Sequence, residues 1–171
     1  RRAVVRVAGR DASRLRASLA ASGGLWGAGL RNRRVLTVRR RAKHLLVVLD
    51  RGTLLFHLGM TGQLFAARRG ERPCCGRTPL PDKHTHMVLY LSEGTRLFFR
   101  DIRKFGRIRF APDGAGALLA DLAPEPLGTA FTAAYLRSRL AGRRAPVKAL
   151  LLDQTCVAGL GNIYTDEALF R

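Results

Sequence analysis

The hydrophobic periodicity of this chain changes once, at a segment that no regular element crosses. Residues 111–128 read "APDGAGALLADLAPEPLG", with three prolines and three glycines in eighteen positions. Proline removes a backbone donor and fixes φ, and glycine raises the entropic cost of order, so the segment is a linker with room for one helical turn in "GALLADL". Upstream, apolar residues mostly alternate. "RVLTVRRRAKHLLVVLD" and "LLFHLGMTGQLF" flank the turn "RGT" and read as a hairpin of two strands, and "HTHMVLYL", "RLFFRDI" and "GRIRFAP" repeat the pattern. Downstream, every signal is helical. "TAFTAAYLRSRLAG" offers Thr129 or Thr132 as an N-cap, "APVKALLLD" places Pro146 in a first turn, and "QTCVAGLGN" interrupts the period before "IYTDEALFR" resumes it. The expected class is therefore α+β: an antiparallel β-sandwich over 1–111, a linker over 112–128 and a helical domain over 129–171. An early helix over Asp11–Ala21, capped by Asp11 or Ser13, is expected inside the β domain.

Charge follows the same division. The formal net charge is +19, and residues 1–111 hold all of that excess while basic and acidic groups balance over 112–171. A field of that size attracts a polyanion. No apolar run approaches the roughly 18 residues of a membrane span, and no signal-peptide pattern opens the chain. Cys74 and Cys75 are adjacent, an arrangement poorly suited to a shared disulfide or to one tetrahedral metal. With Cys156 they read as free thiols in a reducing compartment, which points to the cytoplasm.

Four motifs carry candidate chemistry. "FHLGMTGQL" offers Met60 from a Gly-flanked turn, where a flexible apolar side chain gains nothing by burial but could wedge into a gap in something else; His57 precedes it. "FRDIRKFGRI" places Arg103 and Phe105 in a loop between strands, a donor fork beside a ring able to stack on bases. "DKHTHMVLYL" sets His84 and His86 two apart, hence on one strand face, without a third ligand at metal-binding spacing; contact with phosphate suits them at least as well. "RRRAKHLL" lines cations along a strand, and Lys43 among them could move a proton if desolvated. In the last segment the glycines of "AGLGNIYTDEALF" permit a tight turn, and Asn162 with the first-turn N–H groups would point donors at a phosphate.

In this order "RRRAKHLL", "FHLGMTGQL", "DKHTH", "FRDIRKFGRI", "PEPLG" and "LLLDQTCVAGLGNIYTDEALF" resemble the formamidopyrimidine-DNA glycosylase family, which includes endonuclease VIII. The resemblance spans nearly the whole chain. It implies base-excision repair by a bifunctional glycosylase and AP lyase, with a β-sandwich and a helix-two-turn-helix domain acting as a monomer on damaged double-stranded DNA, with no membrane partner. By position it implies that Met60 and Phe105 fill the space left by a flipped nucleotide and that Arg103 hydrogen-bonds the orphaned opposite base. It further implies that His57, His84, Arg143, Lys148 and Asn162 contact the DNA backbone, and that Lys43 donates a proton in β-elimination. The intact Met60, Arg103 and Phe105 trio favours oxidised purines, 8-oxoguanine and formamidopyrimidines, over the oxidised pyrimidines of the endonuclease VIII branch.

Two departures accompany the match. The family's nucleophile is an N-terminal proline followed by glutamate, whereas this chain opens "RRAVVRV"; and the family's four-cysteine zinc finger has no counterpart before Arg171. The expectation is an internal fragment lacking both ends, holding no metal or cofactor itself while its parent carries structural zinc, and inactive in the glycosylase step. Smaller substitutions are Ile102 for a usual proline, Lys104 for a common arginine and His44 for a frequent tyrosine. A reading from another class is a structural nucleic-acid binder resembling helix-two-turn-helix ribosomal proteins. It accounts for the missing nucleophile but not for the trio offered from two separate β turns.

Overall fold

A computed structural model describes residues 2–6, 29–92 and 94–171. The expected Asp11–Ala21 helix lies outside the described residues. The chain divides into two compact units, residues 1–40 with 44–115, and residues 41–43 with 116–171. The tripeptide Arg41-Ala42-Lys43, read from sequence as the middle of a strand, therefore groups with the helical unit.

The first unit is antiparallel β. Its principal strands are β1 (Arg2–Arg6), β2 (Arg33–Arg41), β3 (His44–Leu49), β4 (Thr53–His57) and β5 (Gly62–Ala67), then β8 (Thr85–Leu91), β9 (Arg96–Asp101) and β10 (Arg107–Ala111). They are ordered β10-β4-β3-β2-β1-β8-β9-β5. The expected hairpin of two strands over 34–65 is thus four strands. The first long run breaks at Ala42, whose φ is +50°, and the second at Gly59, whose φ is +63°. Neither conformation continues a strand. The polar loop after β5 contains a small hairpin, β6 (Cys74–Cys75) paired with β7 (Thr78–Pro79).

Strands far apart in that order share one core, so the sheet closes face to face on itself. Val47, Leu49, Leu54, Phe56, Ile108 and Phe110 from β3, β4 and β10 pack with Met87, Leu89 and Phe99 from β8 and β9, and the Phe56 and Phe99 rings lie 6.1 Å apart. This is the sandwich. Beneath it, Asp82 accepts from Arg100 Nε at 2.8 Å in a nearly buried ion pair and also from the Thr85 hydroxyl and the His84 N–H.

The second unit holds, among the described residues, helices α1 (Gly116–Leu119), α2 (Ala133–Leu140), α3 (Val147–Leu152) and α4 (Asn162–Phe170). Thr132, not Thr129, is the cap of α2: its hydroxyl accepts from Tyr135 N at 3.0 Å. Pro146 stands just before α3 rather than within its first turn. Leu151, Cys156 and Val157 form the core with Phe131, Leu136, Leu140 and Leu160. The turns from α3 to α4 are tied by one side chain. Gln154 donates to the carbonyls of Leu152 and Leu160 and accepts from Gly159 N at 2.9 Å.

Candidate nucleic-acid interface

Strand pairing alone brings two turns of the first unit together. β4 pairs β10 up to His57–Arg107, and β5 pairs β9 from Gly62–Asp101. The connection from β4 to β5 and the connection from β9 to β10 therefore both cross between the same two strand pairs, side by side. The first carries Met60. The second carries Arg103 and Phe105.

Both apolar side chains point outward. Met60 is 72% exposed and Phe105 51%, whereas the chain's other methionine, Met87, is 1% exposed in the core. The guanidinium of Arg103 stacks 4.6 Å from the Phe105 ring centroid, and its Nη1 reaches the Met60 sulfur at 3.5 Å. The trio is a contiguous patch of one cation between two apolar groups.

Its support is polar and buried. Asp101 is 1% exposed. Its Oδ1 accepts from the Thr61 hydroxyl at 2.5 Å and from Arg103 N at 3.2 Å, and its Oδ2 accepts from Gly106 N at 2.6 Å. Burial alone would raise this carboxyl's pKa; the bonds from Thr61, Gly106 and Arg103 outweigh it and hold the pKa below the ordinary carboxylate value. The backbone closes the gap. A Cβ on Gly59 would stand 2.8 Å from the Phe105 carbonyl carbon, and Lys104 takes φ +59° to complete the second turn. Asp101 and Thr61 were not among the residues singled out from the sequence; the only signal was a lone acid inside an otherwise basic loop motif.

The histidines separate in role. His57 Nδ1 accepts from Gly59 N at 3.3 Å, which leaves Nε2 as the donor of the neutral ring, and its ring lies 5.1 Å from that of His44. His84 and His86 do not share a strand face, because β8 begins at Thr85 and His84 sits in the preceding turn. His86 Nε2 donates to the Asp101 carbonyl at 2.7 Å, so this histidine braces the loop from behind. Among the described residues no three His, Cys, Asp or Glu side chains gather where they could hold a metal ion.

The second unit gathers Lys43 and the start of α4. Arg41 donates to Glu125 Oε1 at 3.0 Å and to the carbonyls of Leu122 and Ala123, and Ala42 N donates to the same Glu125 oxygen at 2.9 Å. Lys43 is thereby fixed so that a Cβ on Gly161 would stand 3.5 Å from its Nζ. Lys43 is exposed as a residue, yet partial desolvation of its amine lowers its pKa below the usual lysine value. Gly161 is extended and leaves the first turn of α4 without a side-chain cap, and Asn162 there is exposed. Lys148 pairs with Asp166 at 2.6 Å across an exposed surface, and Arg143 is exposed in the turn after α2. Met60, Arg103, Phe105, His57 and His84 are thus in the first unit, and Lys43, Arg143, Lys148 and Asn162 in the second.

Residues 1–108 match the family model for the formamidopyrimidine-DNA glycosylase N-terminal domain, and residues 122–171 match that for the formamidopyrimidine-DNA glycosylase H2TH domain. A formamidopyrimidine-DNA glycosylase of Paracoccus denitrificans is 50% identical over 140 residues, covering 81% of this chain and 50% of that protein. One from Roseiflexus is 51% identical over 134 residues, covering 77% and 46%. Among solved structures, the MutM (Fpg) protein of Thermus thermophilus aligns over 98% of this chain and 56% of its own, at 38% identity and TM-score 0.72. A MutM in complex with DNA containing carbocyclic 8-oxo-G aligns over 97% and 59%, at 28% identity and TM-score 0.77. The chain spans about half the length of the curated relatives it matches.

Proposed function

Because this chain belongs to the formamidopyrimidine-DNA glycosylase family, we propose that it is the lesion-recognising part of a base-excision repair glycosylase and AP lyase acting on oxidised purines in duplex DNA. The observation that carries the reading is the exposed Met60, Arg103 and Phe105 patch held by two adjoining turns. A duplex that has lost a base from its stack offers an apolar void and an unpaired base edge. Met60 and Phe105 fill and wedge the void, while Arg103 supplies paired donors to the orphaned base. A solved relative bears 8-oxo-G DNA, and the Lactococcus lactis Fpg a FAPY-dG DNA, which supports purine lesions as the substrate class.

In the second unit, the open first turn of α4 with Asn162 binds a phosphate by backbone and amide donors. Lys148 and Arg143 add exposed cations, and His57 and His84 hold backbone phosphates from the first unit. Lys43, its amine partly desolvated, serves as proton donor in β-elimination. The structural zinc that the family resemblance implies finds no donor set among the described residues, and no step is routed through it. The work belongs to the bacterial nucleoid in the cytoplasm.

A direct test compares binding of the chain, at one salt concentration, to duplexes carrying 8-oxoguanine, thymine glycol or a stable abasic analogue and to a structured RNA. Preference for the 8-oxoguanine and abasic duplexes is expected. Tighter binding to the RNA would favour a structural nucleic-acid binder instead.

A further inference from the structure

We propose that Thr61 and Asp101 act together as positioning residues, a bolt that fixes the Met60 turn and the Arg103–Phe105 turn at the separation at which both enter one gap in a duplex. The inference rests on the functional reading above.

Three observations carry it. First, Thr61 lies in the Met60 turn yet bonds only across to the other: its hydroxyl donates to Asp101 Oδ1 and accepts from Arg103 N at 3.2 Å. Second, Asp101 spends its carboxylate on both turns, taking the Thr61 hydroxyl from one and the N–H groups of Arg103 and Gly106 from the other. It grips Arg103 by the backbone alone. The guanidinium stays over Phe105 and beside the Met60 sulfur, available to a ligand. Third, the anchor is itself immobilised, since Asp101 N donates to the His84 carbonyl at 2.9 Å and its own carbonyl accepts from His86. A single buried carboxylate thus bonds to both connections at once. Such a contact costs discrimination rather than general affinity when removed, because undamaged DNA needs only the phosphate contacts.

The test uses Thr61→Val, which keeps the side chain's shape and removes both bonds, with Asp101→Asn as a second variant. In the free chain, amide hydrogen exchange at Arg103 and Gly106 is expected to quicken at least about tenfold in Thr61→Val. With duplexes containing or lacking a stable abasic analogue, Thr61→Val is expected to lose about tenfold in the ratio of the two affinities, undamaged-duplex affinity staying within about twofold. Added to Arg103→Ala, it should cause no further loss of that ratio, the signature of action through Arg103. Unchanged exchange at both amides overturns the bolt whatever the DNA result. If the wild-type chain distinguishes the duplexes and Thr61→Val does so equally well, the bolt falls and the functional reading stands. If the wild-type chain does not distinguish them, the functional reading falls and the bolt with it.

Discussion

A methyl group on Gly106 would lie 2.6 Å from Cζ of Phe99 and 3.0 Å from Oδ2 of Asp101. Phe99 is a core ring and Asp101 is pinned by three donors, so neither yields easily. Gly106→Ala is therefore expected to cost about 1–3 kcal/mol by overpacking, read as a lower thermal midpoint with no change in the untouched helical unit. Protons act on the same region. Asp101 is buried and Asp82 nearly so, and that burial would raise their pKa values. For Asp82, the bond and charge of Arg100, with the bonds from Thr85 and His84, win instead, and for Asp101 the bonds from Thr61, Gly106 and Arg103 do. A carboxyl whose folded pKa is depressed gives stability that is fully present above its unfolded value and drains as pH falls through the folded one. Acid unfolding of the β unit is thus expected below about pH 4, near the ordinary carboxylate value, and Asp82→Asn should flatten that acid limb of a stability-against-pH curve. A limb of the same steepness in the variant would show that the ion pair contributes nothing.

The elements differ in how far their sequences announce them. Alternation in "RIRFA" sufficed for β10, because one buried face fixes the register of a strand, whereas β4, "TLLFH", was announced by an unbroken apolar run that is buried on both faces. Helical spacing likewise announced α2 and α4, and a capping threonine announced the start of α2. The break after Arg41 was not legible, since alanine at positive φ carries no turn signal; it is tertiary contact, Glu125 binding Arg41 and Ala42 N, that makes it. Nor was the meeting of the Met60 and Arg103 turns, which depends on pairings between strands distant in sequence. The exposed trio was legible as residue types in a family order, while its buried support, Thr61 and Asp101, was not. The illegible break has a consequence for chemistry, because it seats Lys43 against Gly161 with a lowered pKa. In a pH series of amine acylation read by mass spectrometry, Lys43 is expected to react at lower pH than Lys83, Lys104 or Lys148, and abasic-analogue duplex should protect it. A Lys43 profile coincident with the other three would contradict that placement.

At the scale of the whole molecule, the +19 charge supplies attraction without choosing a site. Affinity for undamaged duplex is accordingly expected to fall steeply and linearly in log–log form as salt rises, whereas preference for a lesion, carried by the short-range trio, should change far less. The measurement that bears most directly on the proposed function is the affinity of the wild-type chain and of Arg103→Ala for an abasic-analogue duplex and for its undamaged counterpart at equal salt. The account predicts that the wild-type chain prefers the abasic duplex by at least about tenfold, and that Arg103→Ala loses most of this preference while binding undamaged duplex within about twofold as before. Equal wild-type affinity for the two duplexes, or a loss in Arg103→Ala that falls on both alike, would contradict it.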